Sequence, residues 1–273
     1  MTPQTASHTP PALHLPRALD HLHARVLGPD DTATVLALRR EILQAMPPAL
    51  RAVDPDRGCL PEVEHAWAHT HLGARAHTMG VFDGASLVAL ACLLQADAAD
   101  PQDAGHALGL PAGEWTRTAH MASCLVAEDY RGLHLQAKLL NWRREVALQQ
   151  GRTLLLAMTA CGNGYSRRNL LATGMGIRWL GQWRAGTWWY GLVEDLGPTA
   201  PPPSDRDHEW VGVSRIERQQ ALLAQGFVGV AEMEWHGTER RHEPRLQYVR
   251  RPPNPLKPPE AAPVGAQATE CVQ

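Results

Sequence analysis

The apolar positions of this chain change period several times, and each change marks an expected element. Residues 23–27 read as a first strand. Asp30 or Asp31 then caps a helix whose Val35, Leu38, Ile42 and Met46 recur at helical spacing, and Pro47-Pro48 ends it. A second helix is expected over 62–72. Residues 78–82 and 87–94 are strands around Asp83-Gly84, a strong hairpin signal. Residues 96–114 are small and turn-forming, and 115–126 supply the third strand of a meander.

The stretch 121–160 organises the rest. Residues 122–126 are a short apolar run, right for a buried strand and too short for a helix. Residues 128–132 form a turn cluster. From Leu135 the period becomes helical, through Leu139, Trp142 and Val146 with Leu140 beside them, until Gly151 stops the helix. Residues 154–158 make another buried strand. A strand that enters a helix through an Arg-Gly loop gathers several backbone N–H groups at one helix N-terminus, a geometry suited to phosphate or pyrophosphate.

Downstream, 166–172 read as a short helix closed by Gly174. Residues 177–183 and 187–193 pair around Arg184-Ala185-Gly186. The order predicts an α/β (α+β) fold: a mixed, mostly antiparallel twisted sheet with a central crossover helix. Residues 1–22 lack periodicity and are expected to be a mobile arm. The main domain spans 23–195, and the Pro-rich 196–206 is a linker. Residues 207–251 form a small C-terminal helix–strand–strand extension. In it Ser214 and Glu217 fit a capping box, Ile216, Leu222 and Leu223 an apolar stripe, Gly226 a stop, and 227–235 and 246–249 two strands. Residues 252–273 have the composition of a disordered tail. The sequence ALLAQGF echoes NLLATGM, which hints at a partial repeat too short to establish one.

Composition narrows the function classes. The 273 residues carry a formal net charge of −2 and are 44% apolar, so they suit a normal core and carry no electrostatic footprint for nucleic acid. Charges of both signs are intermixed, against a membrane-surface helix, and no run reaches the ~18 apolar residues of a membrane span. The five cysteines, Cys59, Cys92, Cys124, Cys161 and Cys271, are scattered without zinc spacing. A cytoplasmic location with reduced thiols is the expectation. His65, His69 and His71 include a pair one turn apart, but no H-E-x-x-H pattern accompanies them, so no metal is expected. The nucleotide-binding patterns G-x-x-x-x-G-K-[ST] and G-x-G-x-x-G are also missing.

The order of elements and the central motif resemble the GCN5-related N-acetyltransferase (GNAT) superfamily over residues 23–195. The family loop V-x-x-x-x-R/Q-G-x-G-x-G/A is matched by Val126-Ala-Glu-Asp-Tyr130-Arg131-Gly132-Leu133-His134-Leu135-Gln136. Asn163, Ser166, Gly174 and Met175 fall at the places of its downstream N-x-x-A/S and Gly-Phe pattern. The resemblance implies an acyl-CoA N-acyltransferase type of fold, with acetyl-CoA as acyl donor. Leu125 and Val126 would face the pantetheine arm. Arg131, Gly132, Leu133, His134, Leu135 and Gln136 would cradle the phosphates, and Asn163 and Ser166 would flank the arm's far side. Helix N–H groups and a guanidinium each contribute about 1 kcal/mol toward such charge. Three positions depart from the pattern: His134 for Gly, Gln136 for a small residue, and Leu170 for the tyrosine that often protonates the leaving thiolate.

Attack on the thioester needs a neutral amine. His120 stands six residues before Val126, the offset of a base in arylalkylamine-type family members, and is the first candidate. Tyr165 and Tyr190 are candidate proton donors, and Cys124 a candidate nucleophile. Trp183, Trp188 and Trp189 would line an acceptor pocket, and Arg167-Arg168 would meet the adenosine 3′-phosphate or simply be solvated. The function implied is transfer of acetyl from acetyl-CoA to a small-molecule amine by direct attack. The alternatives are a protein amine, a longer acyl chain, or a GNAT-like module that holds coenzyme A for regulation without turnover. A homodimer is allowed, and no oligomeric state is indicated.

Overall fold

The computed structural model describes residues 10–46, 61–183, 186–197, 208–234 and 243–251. The Pro47-Pro48 stop, Arg184-Ala185, residues 198–206 of the linker, the end of the strand expected at 227–235, the tail 252–273, Cys59 and Cys271 lie outside these residues.

Ten described strands form one sheet in the order β1-β2-β3-β4-β5-β7-β6-β9-β10-β8. The first four are β1 (Leu22–Leu27), β2 (Ala76–Asp83), β3 (Ser86–Gln95) and β4 (Thr118–Val126). They make an antiparallel meander after the helices α1 (Thr32–Ala45) and α2 (Pro61–Leu72), with the four-residue α3 (Ala104–Ala107) on the β3–β4 loop. Helix α4 (Leu135–Gln149) crosses over to β5 (Leu154–Ala160), which pairs with β4 in parallel. Helix α5 (Gly164–Ala172) and the hairpin β6 (Gly176–Trp183) and β7 (Thr187–Asp195) follow, with β7 inserted beside β5. The mixed, mostly antiparallel sheet with its crossover helix is therefore the observed architecture.

Strand alternation assigns the faces. On one face α4 buries Leu135, Leu139, Trp142 and Val146 against Ala89, Ala91, Met121, Leu155 and Ala157. Burying each large apolar side chain stabilises the fold by about 1.5–3 kcal/mol. On the other face α1 and α2 pack Val35, Leu38, Trp67 and Leu72 onto Phe82, Leu87 and Leu90. A separate cluster there joins Leu108 and Leu110 to Leu154, Leu156 and Trp179. The middle of β4 lies between these two clusters.

Two expectations need correction. The described part of the supposed mobile arm is anchored: Leu13 and Leu15 pack on the core, and the Trp142 indole donates to the Pro11 carbonyl at 2.8 Å. The Ser214–Glu217 capping box does not form. Helix α6 (Ile216–Ala224) starts from Arg215 with no side-chain cap, and the Ser214 amide donates to the Glu243 carboxylate instead.

The C-terminal stretch extends the same sheet. Its strands are β8 (His208–Gly212), β9 (Phe227–Met233) and β10 (Arg245–Arg250), and β9 joins β6 through the Ile177–Gly229 pair. A Cβ on Gly229 would stand 3.1 Å from that of Ile177, so the close seam requires glycine's small volume. Polar groups tie the seam. The hydroxyls of Tyr190 and Tyr248 both donate to Gln219 Oε1, at 2.9 and 2.8 Å, and Gln219 Nε2 donates to the carbonyls of Gly212 and Val213. Arg167 on α5 meets Glu232 on β9 at 2.7 Å, both almost wholly buried.

Candidate functional site

Strands β4 and β5 pair at only three positions, Thr118–Leu154, Ala119–Leu155 and His120–Leu156. Beyond His120, β4 continues along β3 to Val126 while β5 continues along β7 to Ala160, so a gap opens between them. The cause is local. Leu93 faces Met121 and Ala91 faces Cys124, so one β3 residue, Cys92, opposes both Ala122 and Ser123. Such a bulge bends a strand and sharpens its twist. The buried Arg143 of α4 holds it by donating Nη1 to the Ala122 carbonyl at 3.2 Å. The β4 edge at Leu125 and Val126 thus turns backbone groups toward the gap and away from β5.

The Arg-Gly loop enters α4 beside this gap. The 3-10 turn Glu128–Tyr130 is pinned by the Tyr130 hydroxyl, which donates to Asp83 at 2.7 Å. Gly132 has φ +81° and His134 φ +56°, ψ +19°, two left-handed residues that bring the chain sharply onto the helix axis. His134 is the α4 N-cap, and its side chain is exposed. By helix geometry the N–H groups of Leu135, Gln136 and Ala137 have no carbonyl within the helix to meet. The Leu135 side chain is in the core, so only its backbone is available to a ligand. Gln136 turns aside to accept from the Asn169 amide on α5. Arg131 and Leu133 are exposed at the loop's outer side. Neither His134 nor Gln136 places its side chain over the N-terminal N–H groups of α4.

The downstream positions are committed locally. Asn163 caps α5, its Oδ1 accepting the Ser166 N–H at 3.1 Å. Leu170, at the tyrosine's place, is buried in the core. Tyr165 is 72% exposed with Arg168 over its ring, whereas Tyr190 is fully buried and bonded to Gln219. Arg167 is held by Glu232 and the Cys161 carbonyl, and Arg168 by Glu234 at 2.6 Å. Arg167 is thus a buried charge, whereas the Arg168 pair is exposed to solvent.

His120 is half-buried on the face opposite α4, since its neighbours Ala119 and Met121 belong to the α4 side. Trp183 and Trp189, 5.2 Å apart edge to face, share the face of His120. Trp188 alternates to the other one. Cys124 faces the α4 side, and burial pushes its thiol above the ordinary range despite the Arg143 guanidinium, which leaves it protonated and a poor nucleophile. His65 and His69 are exposed on α2 while His71 points inward. Among the described residues no group of three His, Cys, Asp or Glu side chains is placed to hold a metal ion. No described helix is long and apolar enough to cross a membrane.

Sequence reasoning missed one pair. The buried His71 accepts from or donates to Ser123 Oγ through Nε2 at 2.9 Å, with Nδ1 on the Trp67 carbonyl at 2.8 Å. The two residues are 52 positions apart, and no local pattern joins them.

No family model matches this chain, and no curated protein matches it. Solved structures do. An N-acetyltransferase from Staphylococcus aureus Mu50 is similar at 14% identity over 64% of this chain and 98% of its own, with a TM-score of 0.49. An acetyltransferase of the GNAT family from Streptococcus pneumoniae matches at 16% identity over 64% and 99%, TM-score 0.48. The protein yncA from Salmonella typhimurium, solved with its cofactor acetyl-CoA, matches at 14% over 67% and 98%, TM-score 0.49. In this chain's own topology, strands β1 to β7 hold one parallel pair and one crossover helix.

Proposed function

We propose that this protein is an acyl-CoA-dependent N-acyltransferase that moves acetyl from acetyl-CoA to the amine of a small molecule. The observation that carries this reading is the bulge-driven parting of β4 from β5, with the open N-terminus of α4 at its edge.

The residues present fit the acyl donor. A pyrophosphate would meet the N–H groups from Leu133 to Gln136 and the Arg131 guanidinium, where the helix dipole and directed donors favour an anion. The pantetheine arm is an amide chain, and the free edge at Leu125 and Val126 offers it strand-like hydrogen bonds. The acceptor amine would approach from the opposite face, between the α2 cluster and Trp183–Trp189, where His120 can take a proton from the ammonium. The missing tyrosine matters little for the leaving group. A thiol titrates near 8.5, so a thiolate can depart without a dedicated acid. Direct attack, rather than a Cys124 intermediate, agrees with that thiol's burial.

The test pairs thermal shift with free-thiol release, using acetyl-CoA and a panel of small amines. Acetyl-CoA at ~100 times its dissociation constant should stabilise the protein by ~2.7 kcal/mol, and thiol should appear only with an amine. Arg131→Glu should weaken acetyl-CoA binding about tenfold or more by removing a charge-assisted contact and adding repulsion. No shift with any acyl-CoA sinks the reading. A shift without thiol release across the panel turns it toward a non-catalytic coenzyme A-binding module.

A further inference from the structure

An ammonium must lose two protons to become an amide nitrogen: one before attack, one from the tetrahedral adduct. His120 accounts for one acceptor. On the acyltransferase reading above, the other has to lie on the same face of β4, next to the point where the strands part.

Ser123 occupies that place. It is one of the two bulge residues of β4, half-buried, on the face away from Cys124. Its Oγ lies 2.9 Å from Nε2 of His71 at the end of α2. The Trp67 carbonyl can only accept, so the 2.8 Å contact at Nδ1 requires the proton on that nitrogen. Neutral His71 therefore presents Nε2 as an acceptor, and the Ser123 hydroxyl donates to it. This is the base-and-orienter arrangement of an activated hydroxyl, with a backbone carbonyl as the orienting group. His71 is only 7% exposed, and Ser123 is the member of the pair that borders the opening.

We propose that Ser123 and His71 form a proton relay for the acceptor amine. As the amine nitrogen bonds to the thioester carbonyl carbon, its N–H proton passes to Ser123 Oγ while the Ser123 proton passes to His71 Nε2. The C–S bond then breaks, coenzyme A leaves as the thiolate, and the imidazolium returns its proton through Ser123 to the thiolate or to water. Ser123 is the catalytic residue, since it touches the amine. His71 acts through it.

The surroundings suit a transient imidazolium. The Trp67 ring stacks on His71 with centroids 3.9 Å apart and 17° between planes, a cation–π partner when the ring is charged. Several titratable and charged groups stand near it among the described residues. The Cys92 thiol and the Thr78 hydroxyl bond to the His71 carbonyl, from β3 and β2. Arg39 of α1 lies over Trp67. Glu64 of α2 is held by Arg40, and His120 is on the same face of β4. Cys92 stays a neutral thiol, because burial pushes it up to about 12.

The test measures thiol release against pH with an amine that the wild type acetylates, together with acetyl-CoA thermal shifts. Ser123→Ala should lower kcat by about 10²-fold or more, leave the acetyl-CoA shift and KM unchanged, and alter the acid limb of the kcat profile. Ser123→Thr, which keeps a hydroxyl, should restore most of the rate, which a purely structural role would not predict. His71→Gln should behave like Ser123→Ala if it melts like wild type; if it does not, Ser123→Ala decides, because it removes a single half-buried oxygen. Wild-type kcat and acid limb in Ser123→Ala overturn the relay and leave the acyltransferase reading standing. Acetyl-Ser123 found by mass spectrometry after acetyl-CoA alone overturns it in favour of a covalent path. Acetyl-CoA binding with no amine turnover in the wild type overturns the enzyme reading, and the relay with it.

Discussion

His134 holds a backbone conformation that glycine would hold with less strain. The left-handed region costs an L-residue about 1–2 kcal/mol, and His134 is the non-glycine residue found there among those described. The strain persists because Leu135, Leu139 and Trp142 lock α4 onto the sheet just beyond it. Replacing it should relieve that strain without touching the N–H groups behind it. His134→Gly is expected to raise stability by about 1 kcal/mol, less the added chain entropy of glycine, with acetyl-CoA affinity retained. Urea unfolding checks the first and thermal shift the second; a destabilised variant would mean that the exposed imidazole contributes contacts of its own. This position was legible as a departure in the sequence, because a loop motif prescribes residue types one by one. The Ser123–His71 pair was not. It depends on a bulge and a helix end meeting across 52 residues, and alternation alone cannot show where a bulge falls.

At the scale of elements, helices were readable wherever an apolar stripe met a sheet face. The expected 62–72 helix is observed as Pro61–Leu72, and the crossover helix starts at Leu135 as its periodicity implies. What sequence could not show was the polar joint between α1 and α2. Glu64 is buried and receives both Arg40 Nε, at 2.8 Å, and Arg40 Nη2. Arg40 holds the Glu64 carboxyl below its ordinary range, its hydrogen bonds outweighing desolvation. A carboxyl whose folded pKa is depressed adds stability above its unfolded value of about 4.3. That stability is lost as pH falls through that value toward the folded one. Glu64→Gln should therefore melt below wild type at pH 7, with the gap closing as pH drops below the unfolded value of about 4.3. A gap that stays constant over that range would show that the loss is one of packing, not of charge. The joint bears on chemistry because α2 carries His71 at its far end.

Across the whole molecule the notable addition to the sheet of β1 to β7 is the set of strands after residue 207. Sequence composition separated them by a Pro-rich stretch, and short strands with one-sided patterns do not reveal which edge they join. The structure adds them to β6, and the addition is polar as well as apolar. Arg167 is 2% exposed and its carboxylate partner, Glu232, comes from β9. Tyr190, on the strand beside β5, donates its hydroxyl to Gln219 of α6. Removing residues 198–273 would take Glu232 from Arg167 and Gln219 from Tyr190, and would let water reach both. It would also strip the apolar cover from Ile177, Leu180 and Tyr190, which now cluster with Val211, Leu222, Leu246 and Tyr248. Each large apolar side chain so bared forfeits part of the about 1.5–3 kcal/mol of its burial, and a few such losses approach the entire stability of an ordinary domain, about 5–15 kcal/mol. The truncated chain 1–197 should fail to give a cooperative thermal transition or native near-ultraviolet dichroism, and should not be stabilised by acetyl-CoA. A truncated chain that melts cooperatively within a few degrees of the full protein would show that α5 and β7 find other partners, and that the extension covers the core without completing it.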